Sequence, residues 1–159
     1  KNIPTFLDIP SDLKKALKNW DNNLKKLKAL SEALPESNAQ SLTINDKPIA
    51  YSVNQVTILP PVQNPNSFRD FYAFEQHVRS ARKLRGLDMH PDWFRIPIFY
   101  FSNTSALYGH KQNIPYPTGT KELDFELEFA IIIAKGGSNI KDHEAHKYIA
   151  GYTICNDWL

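Results

Sequence analysis

The stretch 123-LDFELEFAIII-133 decides how this chain is read. Leu123, Phe125, Leu127 and Phe129 alternate with Asp124, Glu126 and Glu128, so the period is two and the segment is a β-strand. One face of that strand is apolar and the other carries three carboxylates. Glu126 and Glu128 lie on the same face, about 7 Å apart at ~3.3 Å of rise per residue, and two acids at that separation can share one cation. A polar, solvent-facing side of an antiparallel strand is the simpler source of the same alternation.

Working outward from this strand, the C-terminal side reads as a turn at "AKGGSN", a short helix at "KDHEAHKYI" and a second apolar strand, "GYTICNDWL". Asp157 ends that strand, at the rim of a core, where a carboxylate is costly unless a cation or several donors meet it. Cys155 sits in the apolar run and reads as a buried, inert thiol. It is the single cysteine, so no internal disulfide forms and a reducing, cytoplasmic setting is expected. His143 and His146 are three apart, and "HEAH" is not the H-E-x-x-H of zinc proteases. "AKGGSN" lacks the lysine and spacing of a phosphate-binding loop.

On the N-terminal side, "IPIFYFS" after Pro97 reads as another strand. Before it, "SFRDFYAFEQHVRSARKLRG" has a helical pattern opened by Ser67, with Phe71, Phe74, Val78 and Ala81 on one face and Gly86 as its stop. On that helix Asp70 and His77 would lie on nearly the same face, about 10 Å apart along the axis. Ser67 and Asp70 also fit an S-x-x-D capping box, which explains the aspartate without chemistry. "QVTILPPV" reads as a strand stopped by Pro60 and Pro61, and "SLTINDKPIAYSV" as a hairpin around Asn45 and Asp46. The first long element is an amphipathic helix from Ser11 to Leu34, capped by Ser11, stopped by Pro35 and followed by the linker "PESNAQS".

The 159 residues allow one domain with an added segment: an N-terminal part over 1–57 and a β-rich part over 58–159. The composition, 42% hydrophobic with a net charge of +2, is that of an ordinary globular protein. No basic run with interleaved aromatics suggests nucleic-acid binding, and no apolar run suggests a membrane span. The lysine-rich side of the first helix reads as a solvated face. The chain starts at Lys1 without methionine and stops at the end of a strand, so it is expected to be part of a longer polypeptide.

Four ordered motifs, "RDFYAFEQH", "IPIFYFSNTSALYG", "LDFELEFAIII" and "CNDW", together resemble the fumarylacetoacetate hydrolase family over approximately Ile58 to Trp158. The resemblance implies an α+β, β-dominated fold, the mixed β-roll or β-sandwich of that family's catalytic domain, with its second half absent after Leu159. It implies a metal site made by Asp70, Glu126, Glu128 and Asp157, an all-oxygen set suited to Mg²⁺ or Ca²⁺, with Mn²⁺ also compatible. It further implies that His77 is the general base, a role that suits imidazole's near-neutral titration. Tyr72 and Tyr100 match substrate-contacting tyrosines, and Arg85 matches a substrate-binding arginine with a one-residue shift. Phe101 stands where smaller members often have lysine, which places the chain with the histidine-base branch.

The implied function is hydrolysis of a carbon–carbon bond in a 1,3-diketo acid such as an acylpyruvate, chemistry met in the breakdown of aromatic compounds, by a homodimer acting on a small-molecule substrate. Two other readings stay open: a lyase or isomerase of 2-oxo acids using the same metal site, and a binding or assembly module.

Overall fold

The computed structural model describes residues 8–34 and 42–159. The linker "PESNAQS" therefore lies outside the described residues. Two compact units are present, one from the described residues within 1–63 and 108–159, the other Asn64–Leu107. The secondary structure is a mixture of helices and small antiparallel sheets.

In the first unit the expected single N-terminal helix is two: α1 (Leu13–Leu17) and α2 (Trp20–Ala33), broken at Lys18 and Asn19. The N-cap is Asp12 rather than Ser11, and its carboxylate accepts from Lys15 N at 3.3 Å. Buried Asn23 spans the break by donating its side-chain amide to the Ala16 carbonyl at 2.8 Å, so α2 is tied back onto α1. Ahead of α1, the Lys26 ammonium bonds Asp8 and holds that carboxyl below its ordinary value.

The hairpin at Asn45 and Asp46 forms as expected: β1 (Thr43–Ile44) pairs with β2 (Lys47–Pro48), and both turn residues have positive φ, 49° and 59°. By contrast, "QVTILPPV" is not a strand: Val53–Gln55 is a 3-10 turn, and the residues after it are irregular up to the two prolines, which have no N–H to give a ladder.

The long antiparallel ladder of this unit is β5 (Phe125–Ile133) with β6 (Ile149–Trp158), linked through a 3-10 helix, Asp142–Tyr148. It runs one pair further, since Asp124 and Leu159 exchange backbone hydrogen bonds at 3.0 and 3.1 Å. A bulge at Ala150, between the pairs Ile132–Gly151 and Ile133–Ile149, closes the regular register away from the acidic end. Lys135, just beyond β5, pairs with Asp21 of α2 at 2.8 Å.

The second unit carries a larger correction. The segment read as one helix from Ser67 splits into β3 (Arg69–Phe71) and α3 (Glu75–Leu84). β3 pairs antiparallel with β4 (Phe99–Phe101), and the aromatic and cationic side chains explain why: Phe71 packs on Phe99 at 5.1 Å, and the Arg69 guanidinium lies over Phe99 and Phe101 at 5.5 and 4.9 Å. No helical pattern in the sequence could register that distant partner. The Ser67–Asp70 capping box is accordingly not formed; Ser67 Oγ instead accepts from Arg69 at 3.0 Å. Gly86 does end α3, with φ 70° and its N–H bonded to the Lys83 carbonyl.

Among the described residues, Ala16 and Val78 are the buried apolar ones. Both faces of β5–β6 deviate from expectation. The apolar face, with Phe125, Leu127, Phe129 and Ile131 beside Tyr152, Ile154 and Trp158, is the exposed one, whereas the face with the acids is half-buried. No helix among the described residues is long and apolar enough to cross a membrane.

Candidate functional site

The register of β5–β6 brings Glu126 directly opposite Asp157 and Glu128 directly opposite Cys155. Directly opposed residues of an antiparallel pair share a face, with Cβ atoms ~4.5–5.5 Å apart. Glu126, Glu128 and Asp157 therefore occupy one side of one hairpin, all half-buried. Their neighbours on that face are Ala130 and Ile132 on one strand and Gly151, Thr153 and Cys155 on the other. Cys155 is thus half-buried on the acidic face and not a core thiol, as a parity count from Asp157 already gives.

Like charges directly opposed on a sheet destabilise it unless a cation intervenes. Three hard oxygen donors of this kind fit a hard divalent ion and offer nothing to a soft one. Among the described residues, no group of three or more His, Cys, Asp or Glu side chains is gathered closely enough to hold an ion. The register supplies a facing pair with a third acid two residues along, and the fit is one of donor chemistry and face.

In the Asn64–Leu107 unit a second set of expected residues comes together. Asp70, half-buried in β3, is the register partner of Tyr100 in β4, and the Tyr100 hydroxyl donates to Asp70 Oδ2 at 3.2 Å. The chain then leaves β3 through a tight turn centred on Tyr72: Tyr72 N–H continues the ladder to the Ile98 carbonyl at 3.0 Å, and Ala73 N–H closes on the Phe71 carbonyl at 2.8 Å. This turn delivers α3, whose first turn carries His77. The Tyr72 and His77 rings meet edge to face, 5.8 Å between centroids. Asp70 and His77 consequently do not share a helix; a strand and a helix, joined by the Tyr72 turn, present them.

Arg85 is the C-cap of α3, and its Nε donates to the Ala81 carbonyl at 3.0 Å, a helix-terminating bond. Trp93, which carried no signal in the sequence beyond Pro91 opening a short 3-10 helix (Pro91–Phe94), donates its indole N–H to the Tyr72 carbonyl at 2.8 Å. His143 and His146 lie on the 3-10 helix Asp142–Tyr148.

With this geometry in place, comparison with known proteins is informative. The family model described as the fumarylacetoacetate (FAA) hydrolase C-terminal domain matches residues 66–159, more than half of the chain. The chain therefore belongs to the fumarylacetoacetate hydrolase family. A fumarylacetoacetase of Arabidopsis thaliana is 30% identical over 158 residues, which cover 84% of this chain and 37% of that protein. An oxaloacetate tautomerase, mitochondrial, of Rattus norvegicus is 31% identical over 111 residues, 65% of this chain and 31% of that protein. An uncharacterised protein of Methanocaldococcus jannaschii is 46% identical over 61 residues, 38% of this chain and 26% of that protein. The chain spans roughly a quarter to somewhat over a third of the length of these relatives. The relatives matched are named for two different chemistries, a fumarylacetoacetase and an oxaloacetate tautomerase.

Proposed function

We propose that this chain carries the greater part of the chemistry of a metal-dependent hydrolase that cleaves a carbon–carbon bond in a 1,3-diketo acid of the acylpyruvate or fumarylacetoacetate type. The observation that carries the reading is the facing pair Glu126 and Asp157, with Glu128 on the same face, in a chain of this family. These three residues would hold a divalent ion, Mg²⁺ or Ca²⁺, with Asp70 added on the resemblance alone. When bound, the ion would supply Lewis acidity that favours enolate character in the departing fragment.

The chain's own side chains do the rest. His77 takes a proton from water, and the resulting oxygen nucleophile adds to the carbonyl next to the scissile bond. The bond then breaks to give a carboxylic acid and an enolate, and the enolate takes a proton to leave as the 2-oxo acid. Tyr72, in edge contact with His77, limits the directions in which the imidazole can point. Tyr100 donates its hydroxyl to Asp70, and its role toward substrate, like those of Tyr72 and Arg85, is assigned by resemblance only. The β5–β6 ladder is one element of a mixed β-roll or β-sandwich; the support is its exposed apolar face, which needs a covering layer, and relatives that are much longer.

The deciding experiment supplies the intact protein with an acylpyruvate and, separately, with oxaloacetate, in Mg²⁺ and after chelation. Cleavage of the acylpyruvate that disappears on chelation and returns with Mg²⁺ is the expected result. Enol–keto exchange of oxaloacetate without any cleavage would replace this reading by a tautomerase one.

A further inference from the structure

The geometry points to Trp93 as a positioning residue for Tyr72 and, through it, for His77. Its meaning for catalysis rests on the reading of His77 as the base given above. The indole N–H to Tyr72 carbonyl bond, 2.8 Å long and partly buried, links residues 21 apart in sequence and lands on the turn between β3 and α3. Phe74, the N-cap of α3, makes no side-chain capping bond, and Ala73 closes only onto Phe71. Unrestrained, the turn would let α3 pivot on the end of β3.

Other residues of the segment from Asp88 to Phe94 also grip α3. The Arg79 guanidinium of α3 lies over the Phe94 ring at 5.9 Å, Arg82 of α3 bonds the Asp88 carbonyl, and Trp93 and Phe94 pack edge to face at 5.0 Å. Two of these contacts hold the body of the helix, and Trp93 holds its entrance. The Tyr72 backbone is thereby bonded on both sides, its N–H to Ile98 and its carbonyl to Trp93, so the Cα that carries the ring meeting His77 at 5.8 Å cannot be displaced without breaking one of them. A base that must be held to within a fraction of an ångström of its water depends on such a restraint.

The test uses the intact protein with three replacements at this position. Trp93→Phe and the isostere 3-benzothienylalanine, which has sulfur in place of the indole N–H, remove the donor; Trp93→His keeps a ring N–H. Two readouts are taken: kcat and KM for acylpyruvate cleavage, and the ring-current shift of the His77 imidazole protons, assigned by their loss in His77→Gln. Both donor-less forms are expected to lower kcat roughly tenfold with little change in KM, and to move the His77 signals toward those of a free imidazole, whereas Trp93→His recovers part of both. If Trp93→Phe does not fold, the isostere decides alone, since it keeps the shape. Unmoved His77 signals with unchanged kcat, even alongside a lower Tm, would make Trp93 a merely structural residue and overturn the inference. If the unsubstituted protein cleaves no acylpyruvate, the functional reading fails, and the His77 signals still decide whether Trp93 fixes the imidazole.

Discussion

Glu126 and Asp157 face each other as register partners across β5–β6, although they are 31 positions apart in sequence. If both hold one ion, their contributions must be coupled. Glu126→Gln and Asp157→Asn are each expected to weaken Mg²⁺ binding, measured by calorimetry, by roughly tenfold or more. The double substitution should cost clearly less than the product of the two, because residues in one network do not act additively. Independent, multiplying effects would assign the two carboxylates to different roles.

Tyr100 and Asp70 give a second coupling, within β3–β4. The Tyr100 phenol is exposed, so Tyr100→Phe should shift Tm little. It leaves the Asp70 carboxylate without one donor, and a hydrogen bond to a charged acceptor is worth about 1.5–3 kcal/mol, or a roughly tenfold to hundredfold fall in kcat/KM. A larger fall with unchanged Mg²⁺ affinity would mean that the hydroxyl touches substrate directly as well.

Replacing the base separates metal from chemistry. His77→Gln keeps a polar side chain of similar reach on the first turns of α3, and His77 is exposed, so the fold should be unaffected. The rate of acylpyruvate cleavage is expected to fall by ~10²–10⁴, the usual contribution of general-base catalysis, while the rise in Tm on adding Mg²⁺ stays as it was. Retained cleavage would remove His77 from the role of base.

The strands that carry the acids were legible because their period is local: a two-residue alternation over Leu123–Phe129 is visible without any partner. Parity alone also put Glu126 with Glu128. What periodicity could not give was register, since the pairing of Glu126 with Asp157 is decided by the length of the intervening turn and by the bulge at Ala150. The helix read through Asp70 failed for a related reason. Apolar residues at Phe71, Phe74, Val78 and Ala81 satisfy a helical spacing, but Arg69 and Phe71 gain more by packing on Phe99 and Phe101, nearly 30 residues away. Which strand face is the more exposed was likewise invisible, because alternation fixes two faces and says nothing about what covers either.

At the edge of the first unit, the Lys26 ammonium lowers the Asp8 carboxyl below its ordinary value of 3.8. A depressed folded-state value stabilises above the unfolded one and is lost as pH falls through the folded one, so any contribution from this pair is present at neutral pH and vanishes in acid. An NMR titration should find Asp8 below 3.8, and Lys26→Met should return it there; an unchanged Asp8 titration in that variant would exclude the pair as the cause. Since the Asp8 side chain is largely exposed, high salt should act in the same direction as the substitution.

Gly109 closes the "SALYG" end of the second motif, and its requirement is steric rather than conformational. A Cβ built on it would overlap the Ile58 carbonyl oxygen and stand 2.8 Å from the Leu59 Cα, both backbone atoms with no side-chain freedom to yield. Gly109→Ala must therefore push the segment ahead of Pro60 and Pro61 away from the start of the Tyr108–Leu159 stretch. Overpacking of this kind costs about 1–3 kcal/mol or more, which for a domain of this size is a fall in Tm of several degrees. A thermal melt of Gly109→Ala with an unchanged midpoint would show that the two backbones are not in this contact. By comparison, Gly136→Ala meets nothing within 4 Å and serves as the matched control, expected to melt within a degree or two of the unsubstituted protein.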